Sequence, residues 1–231
     1  MGTGLHLQAI YNDGQYVIVE GKENQARLRL LGEFGVDSEE RKRREFNRRA
    51  SQDRKSGYMR DIPLQSNTDL TLHEAFFLAS AVGCLQILGS GNEQLDITTC
   101  WTKFREFYTK SNDRLDFALE YATYFYLRTL GWIIRGGENY GVNFLLYNDS
   151  VSASHSKYAV LILEDTERLV KTTWVHLLTK HRVAQSVNKK FLIALVKSPT
   201  KSYSNPDCIQ SIEISLSSFS SNTSIKDCLS N

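Results

Sequence analysis

The 231-residue chain is defined first by what it has little of. No stretch reaches 18 consecutive apolar residues, which excludes an ordinary membrane-spanning helix. The first 20 residues, MGTGLHLQAIYNDGQYVIVE, contain no basic segment followed by an apolar one, so no secretory signal is expected. After Met-Gly come Thr3, Gly4, Leu5 and His6, without the Ser/Thr that a myristoylation signal requires at the expected place. There are only four cysteines, Cys84, Cys100, Cys208 and Cys228. None forms a C-x-x-C pair or lies beside a histidine in a zinc-like array, so no metal or other cofactor is expected. Without a secretory signal, reduced thiols in a cytosolic or nuclear protein are the expectation. No internal repeat is visible, and net charge is only +2.

What is present is a globular composition: 41% hydrophobic and 23% charged residues, enough for one large domain or two small ones. The charge is uneven. RKRREFNRRASQDRK (41–55) holds eight Lys/Arg against Glu45 and Asp53. Such a run is a solvated segment, a contact for RNA phosphates or a nuclear-import signal, and composition leaves the three open.

Before this run, YVIVEG has strand composition and KENQARLRLLGEFG is helical, closed by Gly32 and Gly35: a small α+β start. SGYMRDIPLQSNTD, after it, reads as polar and irregular, with Pro63 fixing an extended approach. Thr71 precedes Glu74 by three, a capping-box spacing that opens a helix with Phe76, Phe77, Leu78, Val82 and Leu85 as its apolar face and Gly83 as a point of close packing. CLQIL (84–88) is more strand-like.

The stretch TTCWTKFREFYTKSNDRLDFALEYATYFYLRTLGW is largely helical, with Trp101, Phe104, Phe107 and Tyr108 on one period, and Leu115, Leu119, Ala122, Tyr126 and Leu130 on another. Gly131 is its C-terminal stop. Four runs then have strand character: WIIR, VNFLLY, YAVLILE and FLIALVK. TTWVHLLTKHRVAQSV lies between the last two with Trp174, Leu177, Leu178 and Val183 on a helical period, and SIEISLSSF alternates as a late strand. Residues 117–220 therefore read helix–β–β–β–helix–β–β, a compact α/β domain; 1–116, including a basic linker at 37–68, form a smaller α+β domain; 221–231 form a loose Ser/Asn-rich tail.

VNFLLY and YAVLIL should pair, which leaves Tyr147 at the end of one strand and His155 just before the other, at the two lips of the loop NDSVSASHSK. A rim loop on a rigid sheet is where functional side chains are commonly placed. Arg182, Lys189 and Lys190 cluster where the later helix hands over to a strand, and that handover can return to the same rim. Singly, each has an ordinary reading: a tyrosine finishing a strand, a solvated histidine, solubilising lysines.

Together these stretches resemble the tRNA-splicing endonuclease family over roughly residues 70–220. An aromatic-Gly-x-(Asp/Asn)-(Phe/Leu)-x-x-Tyr pattern matches Tyr140 to Tyr147, a His-x-x-Tyr pattern matches His155 to Tyr158, and Lys189 follows Arg182 by seven. The helix EAFFLASAVGCL is similar to that of Sen2-type catalytic subunits. The chain departs from many of these in lacking a long polar linker, for which 41–68 is a short substitute, and in reading NDSVSAS where a Gly-Pro-Pro-Phe-like loop is usual.

The resemblance implies metal-independent, lyase-type cleavage of precursor tRNA at the 5′ splice site, leaving a 2′,3′-cyclic phosphate and a 5′-OH. It assigns Tyr147 as general base on the 2′-OH, His155 as general acid on the leaving 5′-oxygen and Lys189 as the cation on the transition state. It gives Arg182 a base-stacking role, with Phe219 as a partner where a Trp is usual. It implies a heterotetramer with Sen34-, Sen54- and Sen15-like subunits, associated through the late β-strand and a loop-into-pocket contact, and a nuclear location, with cytoplasm or mitochondrial surface as alternatives. These roles are chemically coherent. A 2′-OH attacking its own phosphate needs no external water, histidine titrates near ~6.5, and a cation opposes growing phosphorane charge. Tyrosine, with a reference pKa of ~10, needs a neighbouring cation such as Lys189 to favour its ionised form. Two other readings remain: a non-catalytic subunit of the same assembly, and a general RNA-binding α/β protein.

Overall fold

The computed structural model describes residues 7–43, 67–110, 115–152, 154–165, 173–199 and 202–219. Most of the basic run, residues 56–66 of the segment around Pro63 and the tail at 221–231 lie outside the described residues. The chain divides into two compact units, Met1–Phe107 and Tyr108–Asn231.

In the first unit, alternating sequence builds a five-stranded sheet. β1 (Leu7–Tyr11) and β2 (Tyr16–Glu20) form an antiparallel hairpin that buries Leu7, Ala9, Tyr11, Val17 and Val19. Helix α1 (Lys22–Leu30) follows, then β3 (Val36–Asp37), β4 (Asn67–Thr71) and β5 (Leu85–Leu88), in the sheet order β3-β4-β2-β1-β5. Residues 67–70 are thus not irregular, as their polarity suggests, but strand. The reason is tertiary: Asp69 is buried, and its carboxylate accepts from Ser38 Oγ at 2.6 Å and from Arg41 Nε. The same guanidinium lies 4.4 Å from the Tyr16 ring centroid. A buried carboxylate is tolerable once paired and hydrogen-bonded, so Arg41, the first residue of the basic run, is engaged within the fold.

The capping box is present: Glu74 N donates to Thr71 Oγ1 and Thr71 N to Glu74 Oε2, opening α2 (Leu72–Phe77). The helix then widens into a π turn, Leu78–Val82, where Ser80 Oγ donates to the Phe76 carbonyl and so competes with the backbone ladder. Two expectations change here. Val82 is 46% exposed, and Gly83 ends the helix through a left-handed backbone (φ 70°), with open space where a Cβ would sit, rather than by close packing. Helix α3 (Ile97–Thr109) contributes Trp101 and Phe104 to a cluster with Phe76 and Tyr11. Cys100 is buried beside them, and burial pushes its thiol up to about 12, leaving it unreactive at neutral pH.

The second unit follows the helix–β–β–β–helix–β–β order read from the sequence: α4 (Phe117–Thr129), β6 (Ile133–Gly136), β7 (Phe144–Tyr147), β8 (Tyr158–Glu164), α5 (Trp174–Ser186), β9 (Lys190–Lys197) and β10 (Glu213–Ser218). The sheet order is β10-β9-β8-β7-β6, antiparallel except for the parallel pair β8–β9, whose crossover contains α5. This is the mixed α+β architecture expected. Asp116 caps α4, and Gly131 (φ 85°) closes it. Phe117, Leu119, Tyr121, Tyr124 and Leu127 of α4 are buried, whereas Leu130 of the expected stripe is 52% exposed. On α5 the inward residues are Leu177, His181 and Ala184, flanked by the half-buried Trp174 and Leu178. Val183 points outward, and His181 takes the inward place that an apolar-only period misses.

Candidate active site

Register fixes which residues meet at one end of this sheet. Leu146 pairs with Tyr158 across β7–β8, and Tyr158 with Lys190 across β8–β9. The ladder runs one step further: Lys157 N donates to the Leu146 carbonyl at 2.8 Å and Lys190 N to the Lys157 carbonyl at 3.0 Å. Because side chains alternate along a strand, Leu146, Tyr158 and Lys190 share one face, while Tyr147, Lys157 and Lys189 share the other. Two strand spacings put the Tyr147 and Lys189 backbones roughly 10 Å apart. The pleat therefore separates the tandem lysines: Lys190 is exposed, and Lys189 lies on the α5 face with 9% exposure.

Tyr147 closes β7 beside Ile133 of β6 and is half-buried against the cluster formed by Leu145, Ala159, Leu177 and Phe191. The loop that follows is held by its own serines. Ser154 N and Ser154 Oγ both donate to the Ser150 carbonyl, each at 3.1 Å, and the Ser150 and Ser152 hydroxyls are 2.7 Å apart. His155 emerges exposed, two residues before Lys157. The strand ends thus bring Tyr147, His155 and Lys189 to one rim.

Lys189 arrives there through a tight turn. Asn188 is left-handed (φ 59°), and Lys189 N donates to the Ala184 carbonyl at 2.9 Å. Its ammonium makes a long bond, 3.4 Å, to the Ser156 carbonyl and lies 5.5 Å from the Tyr140 ring centroid. Burial lowers its pKa below the usual lysine value, because desolvation penalises the charged form.

Arg182 is exposed on α5, seven residues before Lys189. Phe219 is not presented to solvent beside it. Its ring packs inside the core, 5.0 Å from Trp174, 5.3 Å from His181 and 5.7 Å from Phe191, and only 4% of the residue is exposed. Phe219 thus supports α5 from beneath.

Two further residues shape the site, and both lie inside the motif already singled out. Asn143 precedes β7 and extends its ladder with a side chain: Asn143 Oδ1 accepts from Ile162 N at 2.9 Å, and Nδ2 donates to Glu120 Oε1 of α4 at 3.0 Å. Tyr140 ends a short 3-10 turn (Glu138–Tyr140) and packs against the same core cluster. Among the described residues, no three or more His, Cys, Asp or Glu side chains gather where a metal ion could sit.

Residues 117–203 match the family described as tRNA intron endonuclease, catalytic C-terminal domain. The chain is 32% identical over 145 residues to tRNA-splicing endonuclease subunit Sen2-1 of Arabidopsis thaliana, a match covering 61% of this chain and 58% of that protein. It is 31% identical over 154 residues to tRNA-splicing endonuclease subunit Sen2 of Mus musculus, covering 63% and 32%. It is 29% identical over 134 residues to a tRNA-splicing endonuclease of Saccharolobus islandicus, covering 58% and 68%. The eukaryotic matches therefore span about a third to three fifths of those relatives' lengths. Residues 117–203 are thus similar to the catalytic C-terminal domain of tRNA intron endonucleases, and the chain is similar to Sen2 subunits over about three fifths of its length.

Proposed function

We propose that the chain is a Sen2-like catalytic subunit of a tRNA-splicing endonuclease that cuts precursor tRNA at the 5′ splice site. The observation that carries this reading is the convergence of Tyr147, His155 and Lys189 on one rim, with Lys189 among the described residues bonded to no carboxylate. In the reaction, the 2′-oxygen of the ribose bonds to its neighbouring phosphorus and the P–O5′ bond breaks. The 2′-OH proton passes to Tyr147, and His155 delivers a proton to the departing 5′-oxygen. The products are a 2′,3′-cyclic phosphate and a 5′-OH end. Lys189 opposes charge on the non-bridging oxygens. Arg182, exposed at the rim end of α5, stacks on an unpaired base of the substrate. The nucleophile belongs to the substrate and the compensating cation to the protein, so the mechanism calls on no metal ion.

Assembly follows the same reading. Among the described residues β10 is an edge of its sheet, which leaves one side of its backbone for strand addition by a Sen15- or Sen54-like subunit, with a Sen34-like subunit completing a heterotetramer. A loop-into-pocket contact would join the two halves. A nuclear location accords with the basic run at 41–55.

End-group analysis of an intron-containing precursor tRNA treated with the assembled complex tests the proposal. A 5′-site cut carrying a 2′,3′-cyclic phosphate is expected, unaffected by chelator and abolished by a 2′-deoxy nucleotide at the cut. Cleavage lost on chelation, or surviving the 2′-deoxy substitution, would contradict it. Cleavage of the 5′ site by a complex whose His155 is replaced would instead favour the non-catalytic reading.

A further inference from the structure

Lys189 raises a question that the proposed chemistry does not answer: what holds the ammonium of a largely buried lysine at the rim without neutralising it. Lysines that are this buried are normally paired with a carboxylate. Here, among the described residues, the ammonium meets only the Ser156 carbonyl, at 3.4 Å, and the Tyr140 ring, at 5.5 Å. Both are electron-rich and neither carries charge. The turn that bears Tyr140 is itself built to hold position. Tyr140 N donates to the Gly137 carbonyl at 2.9 Å, Gly137 N to the Asn143 carbonyl at 3.0 Å, and Gly141 ends the turn with φ 69°. A side chain at Gly137 would force the turn to shift, since its Cβ would come within 2.9 Å of the Val142 carbonyl oxygen. From the other side, Lys180 of α5 donates through Nζ to the Gly141 carbonyl and ties the turn to the helix that leads to Lys189. The ring and the lysine are thus fixed to one frame.

We infer that Tyr140 is a positioning residue whose ring face holds the Lys189 ammonium by a cation–π contact, keeping its full charge available for phosphate oxygens. A carboxylate at this place would hold the lysine more tightly but cancel the charge that the transition state needs; an aliphatic side chain would leave the ammonium with only its long bond to the Ser156 carbonyl among the described residues. The hydroxyl of Tyr140 has no part in this, so phenylalanine should serve and leucine should not. The inference rests on the catalytic reading of Lys189.

Two measurements test it. In the full chain carrying 13C-dimethylated lysines, the Lys189 signal, identified by its loss in Lys189→Arg, should be shifted upfield by the ring. It should stay so in Tyr140→Phe and return to the bulk lysine position in Tyr140→Leu. In the assembled complex, Tyr140→Leu should lower kcat for precursor-tRNA cleavage by about tenfold with little change in KM, and Tyr140→Phe should restore it. Heavily fluorinated phenylalanine at 140 preserves the packing but weakens the ring's electron-rich face, and should behave as leucine does. In a Lys189→Ala background, none of these changes should matter. An unshifted Lys189 signal in the wild-type chain, or an active Tyr140→Leu beside an inactive Lys189→Ala, would overturn the inference alone. Full activity of Lys189→Ala would remove the catalytic reading, and the inference with it.

Discussion

Replacing Asn143 should separate strand geometry from catalysis. Its side chain joins three elements: Oδ1 accepts from Ile162 N of β8 at 2.9 Å, Nδ2 donates to Glu120 of α4 at 3.0 Å, and its backbone leads directly into β7. Asn143→Ala leaves the Ile162 amide, in a residue 6% exposed, without its acceptor. An orphaned buried donor costs about 1–3 kcal/mol, and a partly solvated bond to a carboxylate adds about 1 kcal/mol. Glu120 keeps its contact with Tyr108 Oη at 3.2 Å, so the second loss is partial. The total is roughly 2–4 kcal/mol, or a fall of roughly 5–10 °C in the melting temperature. Urea unfolding followed by the fluorescence of Trp132 and Trp174, both in the second unit, measures it. Asn143→Asp is the sharper probe. It keeps the acceptor for Ile162 but sets a carboxylate against Glu120. Its deficit should be largest at neutral pH and shrink in acid, where one carboxyl takes up a proton. If Asn143→Ala unfolds within about 0.5 kcal/mol of the parent chain, the range of an ordinary surface change, this account of the β7–β8 junction is wrong.

His155→Ala should abolish 5′-site cleavage while leaving complex assembly and chain stability unchanged, because the residue is exposed; normal cleavage would refute its role as acid. Arg182→Ala, also exposed, should weaken cleavage without loss of assembly, and unchanged rates would retire the stacking role. Lys189→Met should be inactive yet at least as stable as the parent at pH 7. The folded-state pKa of Lys189 lies below its unfolded value, so the unfolded chain binds more protons between the two. The parent's stability should therefore gain from this group as pH rises from the folded pKa toward the usual lysine value, and urea titrations at pH 7 and pH 10 should show that gain reduced in the variant.

The second unit was legible because its signals are local. Apolar runs of four to eight residues bounded by Gly, Asn and Ser give the strands, and the Tyr147–His155 and Arg182–Lys189 spacings mark the rim. What escaped the sequence was decided by tertiary partners. Asn67–Thr71 looks like loop because a strand containing Asp69 becomes tolerable only when Ser38 and Arg41, some thirty residues earlier, supply its hydrogen bonds. Hydropathy ranks Val183 above His181 as a core residue, whereas the core accepts an imidazole edge against Phe191 and Phe219. Tyr140 lay in plain view within a motif, but its use depends on Lys189, 49 residues later, and no spacing rule connects them.

The left-handed Asn188 has an outcome for how this protein can vary. Only Val187, Asn188 and Lys189 separate α5 from β9, and the turn is closed by a bond back to Ala184. Such a link has little slack: an inserted or deleted residue must either be absorbed by reshaping the turn at Asn188 or slip β9 by one against β8, which would turn Lys189, Phe191 and Ile193 together to the opposite side of the sheet. The identity of the residues between Arg182 and Lys189 can therefore drift more readily than their number. The loop from Asn148 to Ser154, whose described serines bond within the loop itself, is where lengthening should be borne.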